Sequence, residues 1–137
     1  MKNKYLFIIA FLSLALIASV FLVIRTTTTY QYASTRSNGS VVLENSYLFA
    51  SPLQAKADGK EAVRITIFLL DGRGLGVANQ TVTLNLPKNI TVTNQQEITD
   101  QNGKAIFDLV SSTAQTANIT AKTDTAKLPQ SVKVVFY

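Results

Sequence analysis

Ala62-Val63-Arg64-Ile65-Thr66-Ile67-Phe68-Leu69-Leu70 (AVRITIFLL) is the stretch that decides the fold. Val63, Ile65, Ile67 and Leu69 share one face, and Arg64, Thr66, Phe68 and Leu70 share the other. Alternation with period two in a β-branched run is the mark of a strand with one buried face. The same period recurs downstream. Val82, Leu84 and Leu86 alternate with Thr81, Thr83 and Asn85, and a weaker alternation follows in Ile90 to Thr93. Ala105, Phe107 and Leu109 oppose Ile106, Asp108 and Val110. Ala117, Ile119 and Ala121 alternate with polar residues, and Val132, Val134 and Phe136 close the series. No stretch after Ile24 shows a period near 3.6.

Turn signals separate these runs: Asp58-Gly59, Asp71-Gly72, Asn102-Gly103 and Pro87. Each suits a tight turn or a chain break. Ser51-Pro52 interrupts the first strand region. Proline cannot donate to a ladder, so that strand belongs at an edge, where it can switch sheets. About seven short strands, each with one apolar face, predict an all-β sandwich over residues 46–137.

The N-terminal part reads differently. Tyr5 to Ile24 (YLFIIAFLSLALIASVFLVI) is a run of 20 residues without a charge. A helix of that length covers roughly 30 Å, the thickness of a bilayer's hydrocarbon core. No small-x-small cleavage site follows it, so residues 1–24 are expected to be an uncleaved transmembrane anchor in contact with the lipid bilayer through residues 5–24, with a cleaved signal peptide as the alternative. Lys2 and Lys4 argue for a cytoplasmic N-terminus, Arg25 and Arg36 offset them, and the composition downstream decides the orientation. The Thr-, Asn- and Ser-rich remainder is expected on the other side. The localisation that follows is single-pass in the cell membrane, with the C-terminal domain extracytoplasmic. Residues 25–45 are polar and read as a linker, with Val41 to Leu43 as an alternative start of the first strand.

Composition removes most site chemistry. The 137 residues contain no His, Cys or Trp. Ser-His-Asp triads, Cys-His pairs, thiolate zinc sites and disulfides are therefore excluded. The acids fall mainly at turns and form no readable catalytic pair, so no enzyme activity, small-molecule substrate or cofactor is expected. Asp100-x-Asn102-Gly103 begins like a calcium loop, but Ser111 and Ser112 stand where its later acid would be, so no metal is expected either. The net charge of +5 is spread out, with no basic stripe interleaved with aromatics, so nucleic acid is not an expected partner.

Several blocks resemble a known family. They are Ala57-Asp58-Gly59-Lys60-Glu61-Ala62 with Ile65-Thr66-Ile67; Asp71-Gly72-Arg73-Gly74; and Gly76-Val77-Ala78-Asn79-Gln80-Thr81-Val82-Thr83-Leu84. Thr99-Asp100-Gln101-Asn102-Gly103-Lys104-Ala105, Ala117-Asn118-Ile119-Thr120-Ala121 and Val132-Lys133-Val134-Val135-Phe136 complete the set. In this order the blocks resemble the bacterial Ig-like domain of the invasin and intimin type, the Big-1 family, over nearly all of residues 46–137. The resemblance implies an Ig-like β-sandwich. Its signature residues are turn formers, so it implies no chemistry. The family often occurs as tandem copies on adhesins; the 137 residues hold one copy.

One apolar group remains on outward positions. Phe68 and Leu70 would form a patch beside Ile106 and Val110 if those strands are neighbours. Such a patch is a docking surface for a partner or for a second copy, unless the linker covers it or the face assignment slips by one residue. The function expected is a structural or protein-interaction role, adhesion included, in a prokaryotic cell envelope. The partner is an unknown envelope protein or the chain itself. The alternative is a pilin-like or pseudopilin-like subunit of a surface filament or secretion apparatus, its apolar helix packed in a fibre core.

Overall fold

The computed structural model describes Lys4, residues 13–19, Arg36, Ser37 and residues 39–137. Two compact units are present, residues 1–34 and 35–137. In the first, residues 13–19 are α-helical and exposed. The rest of the expected span from Tyr5 to Ile24 lies outside the described residues. Among the described residues no helix is long and apolar enough to cross a membrane.

The second unit is all-β. Its strands are β1 (Arg36–Ser37), β2 (Tyr47–Ser51), β3 (Gln54–Ala55), β4 (Val63–Phe68) and β5 (Gly76–Val77). They continue with β6 (Val82–Asn85), β7 (Ile90–Gln96), β8 (Lys104–Ser111), β9 (Gln115–Thr123) and β10 (Lys127–Phe136). One four-stranded sheet runs β2-β4-β8-β7 and the other β3-β10-β9-β6, while β1 and β5 form a short parallel pair. The expected count of about seven strands is therefore too low. Two-residue pieces such as β3 and β5 are too short to show a period.

The sheets face each other across the alternating positions. Val63, Ile65, Ile67 and Leu69 are fully buried, as are Ala105 and Leu109 on β8. They pack in one core with Ile119 of β9 and Val134 and Phe136 of β10. Leu128 joins them because β10 is irregular between Lys127 and Ser131, which turns an extra apolar side chain inward. The run broken at Ser51-Pro52 does switch sheets. Before the proline β2 pairs antiparallel with β4; after it β3 pairs parallel with β10. Leu53 O accepts from Val135 N at 3.0 Å, and Ala55 O accepts from Tyr137 N at 3.1 Å.

The chain entering the sandwich is docked on it. Val42 N donates to Leu70 O at 2.8 Å, and Asn45 Nδ2 donates to Asp71 O at 2.8 Å. Ser46, fully buried, donates through Oγ to Val42 O at 2.8 Å and accepts from Leu70 N at 3.0 Å. Val41 and Leu43 pack against the core. The folded unit thus starts ahead of Ser46.

Three turns are held by aspartates. Asp58 Oδ1 accepts from the Lys60 and Glu61 N–H groups, Asp71 Oδ1 from those of Arg73 and Leu75, and Asp100 Oδ1 from those of Asn102 and Lys104. The latter two turns meet through glycines. A Cβ on Gly76 would lie 2.1 Å from Asn102 C, and one on Gly103 would lie 2.2 Å from Leu69 O. Only residues without a side chain allow these backbones to approach so closely.

Candidate functional site

The outer face of the β2-β4-β8-β7 sheet carries a group of uncovered aromatic side chains, whereas exposed Leu53, Ile98 and Tyr137 lie outside the sheet's paired strands. Its rows follow from the register. Tyr47 pairs with Phe68 and Phe68 with Lys104; Phe49 pairs with Thr66 and Thr66 with Ile106; Ser51 pairs with Arg64 and Arg64 with Asp108. Cross-strand partners share a face, and neighbours two residues apart along a strand are about 7 Å away. Three aromatic rings therefore gather at one corner of the sheet.

Their geometry is stacked. The Tyr47 and Phe68 rings are 5.3 Å apart at 29°, and Phe49 and Phe68 are 6.4 Å apart at 12°. Tyr47 is 39% and Phe49 43% exposed, although both are strand residues with large rings. Thr66 sits between Phe49 and Ile106 and is 9% exposed. Half-buried Phe68 and Ile106 lie in adjacent rows of this surface.

The aromatic corner has a charged border. Arg64 Nε donates to Asp108 Oδ1 at 2.7 Å and Arg64 Nη2 to Asp108 Oδ2 at 2.8 Å, a fork-to-fork ion pair across β4 and β8. Asn94 Nδ2 of β7 adds a bond to Asp108 Oδ2 at 3.3 Å. The hydrogen bonds from Arg64 hold the Asp108 carboxyl below its ordinary value, against an opposing push from burial. Asp108 answers by raising the Arg64 guanidinium. The border is thus locked by its own pairing.

The four residues singled out from the sequence are distributed unevenly. Phe68 and Ile106 belong to the aromatic corner. Leu70 lies past the end of β4, bridged to Gly76 and bonded through its backbone to Val42 and Ser46. Val110 faces Thr91 of β7 on the far side of the Arg64–Asp108 pair and is 7% exposed. Sequence reading missed Tyr47 and Phe49. In Tyr47-Leu48-Phe49-Ala50 both faces of the strand are apolar, so polarity does not alternate; the signal available was ring size at every second position.

Residues 45–137 match the family model of the bacterial Ig-like domain (group 1). No curated protein matches the chain. Among solved structures it is similar to invasin, described as a bacterial integrin-binding protein, at 29% identity and a TM-score of 0.65, over 73% of this chain and 20% of that one. It is also similar to the D00-D0 domain of intimin at 29% identity and a TM-score of 0.57, over 74% of this chain and 52% of that one. The Yersinia pseudotuberculosis adhesin InvE shares the fold at 22% identity and a TM-score of 0.61, over 73% of this chain and 28% of that one. The chain spans between a fifth and about half of the length of these structures.

Proposed function

Because the chain belongs to the bacterial Ig-like domain (group 1) family across residues 45–137, we propose that it is a membrane-tethered extracytoplasmic module that binds another protein in a prokaryotic cell envelope. The observation carrying this reading is the stacked, uncovered group of Tyr47, Phe49 and Phe68. Exposed aromatic rings on a rigid sheet bury large area at low entropic cost, which suits a protein contact. The Arg64–Asp108 pair rims the group and satisfies its own charges, so docking need not strand an ion. The likeness to an integrin-binding protein and to intimin supports an interaction role and gives no partner for this chain.

The tether is residues 5–24. Their composition suits a bilayer span, and Leu14, Leu16 and Ile17 within it are 66%, 67% and 62% exposed on helix. Apolar side chains on every side of a helix call for an apolar surrounding. Ser19 Oγ donates to Leu16 O at 2.8 Å, so its hydroxyl is satisfied within the helix.

A photo-crosslinking residue placed at Phe49 in intact cells tests the docking face, with Thr116 of β9 as the control position. Capture of a defined envelope protein from position 49 and not from 116 is the expected result. Equal capture from both positions would overturn the proposal, and capture of the chain alone would favour the filament. Shielding of Lys104 from protease added to spheroplasts would refute the orientation.

A further inference from the structure

The opposite surface of the sandwich has a different chemistry. The outward residues of β6, β9 and β10 include Thr83, Asn85, Thr120, Lys122, Lys127 and Lys133, and no carboxylate. Lys122 stands directly opposite Lys127 on β10 and opposite Thr83 on β6. Like charges in register on adjacent strands repel each other. The ion pairs among the described residues are Arg64–Asp108, Arg73–Asp71 and Lys104–Asp100, so none of these three lysines has a counter-charge. The nearest acid in sequence, Asp124, lies in the turn joining β9 to β10.

Between these strands runs a groove of about 240 Å³ whose lining is mostly apolar, Leu84 and Ala121 included, with Thr83, Asn85, Thr120, Lys122 and Lys127 supplying its polar groups. The irregularity of β10 between Lys127 and Ser131 adjoins it. Thr120 Oγ1 is sealed from solvent and makes no hydrogen bond. Thr120 lines the groove, and its hydroxyl has no internal bond to lose on turning to a ligand. Two repelling ammonium groups, an idle hydroxyl and two further polar side chains are the complement of one anionic group with several acceptor oxygens.

We propose that this groove binds a phosphodiester group of a linear polyanion, with Lys122 and Lys127 sharing its charge and Thr83, Asn85 and Thr120 donating to its oxygens. Lys133 extends the site. It lies opposite Asn118, four residues and about 13 Å along β9 from Lys122, where a second charge of the same polymer would fall. The charge complement and the placement of Lys133 along the same strands commit the site to a chain of phosphodiesters. It uses neither the aromatic corner nor the protein contact proposed there, and either can fail alone.

The test is titration of the full chain, in non-ionic detergent, with a soluble poly(glycerol phosphate) oligomer. K122Q/K127Q should weaken binding about tenfold, and the charge-matched K56Q/K60Q less than about twofold. Thr120→Val, which keeps shape and removes the hydroxyl, should weaken it about threefold without lowering the melting temperature. Equal losses in both double variants would reduce the effect to net charge and overturn the site. Inorganic phosphate, or vesicles of anionic lipid, competing as well as the oligomer at equal phosphate concentration would overturn the assignment to a polymer.

Discussion

Replacing Gly76 by alanine should be severely damaging, as should Gly103→Ala, whose Cβ would meet Leu69 O at 2.2 Å. The new Cβ would sit 2.1 Å from Asn102 C, 2.2 Å from Asn102 O and 2.6 Å from Gly103 N. Ordinary contact begins near 3.4 Å, so the overlap exceeds an ångström and is with backbone. That backbone is itself fixed, Gly103 N donating to Asp100 O at 2.9 Å and Asp100 N to Lys104 O at 3.0 Å. Overpacking that must move backbone costs about 3 kcal/mol or more, against which the stiffened unfolded chain returns only about 0.4–1 kcal/mol. For a domain near 100 residues this is a fall in melting temperature of roughly 10 °C or more. Two neighbours serve as controls. Gly74, at φ +77°, has nothing within 4 Å of a Cβ, so Gly74→Ala carries backbone strain alone, about 1–2 kcal/mol. Gly72 meets only Val42 Cγ2, at 3.9 Å, so Gly72→Ala should lie within about 0.5 kcal/mol of the wild type. Differential scanning calorimetry of the three variants decides the matter. If Gly76→Ala melts within about 3 °C of Gly72→Ala, the close approach of the two turns is not what the sequence needs glycine for.

Phe136→Ala removes a ring that is 1% exposed at the end of β10 and should cost about 3–5 kcal/mol by denaturant titration. Ser46→Ala leaves the Leu70 N–H without its acceptor in a buried site and should cost about 1–3 kcal/mol by the same measurement. Asp108 is held below its ordinary value of 3.8 by Arg64, so its stabilising contribution is complete above that pH and is lost as pH falls through the folded value. Asp108→Asn should therefore melt lower than the wild type at pH 7, with the difference narrowing as the pH drops below 3.8.

Much of the sandwich was legible because burial in a sheet is periodic. The inward residues of AVRITIFLL, and Ala105, Phe107 and Leu109, could be assigned from spacing alone. What escaped had no period to show. β7 runs on to Gln96 through a polar stretch with a register shift between Val92 and Asn94. β10 starts at Lys127, five residues before its alternation becomes visible, because its irregularity breaks the pattern around Leu128. The aromatic corner was half visible. Phe68 and Ile106 stood out as apolar residues on outward positions, whereas Tyr47 and Phe49 reach them only through the β2–β4 pairing, which is long-range information. The Arg64–Asp108 pair is hidden for the same reason.

The sheet switch after Ser51-Pro52 has a mechanical consequence. β3 runs parallel to the final strand, and three backbone hydrogen bonds tie the two segments: Val135 N to Leu53 O, Tyr137 N to Ala55 O, and Ala57 N to Tyr137 O. Tension applied between the two termini drags these segments in opposite directions along their length. The bonds are then loaded in shear and must yield together, where an antiparallel edge would unzip one rung at a time. A module held at one end and pulled at the other resists by the direction of two short strands.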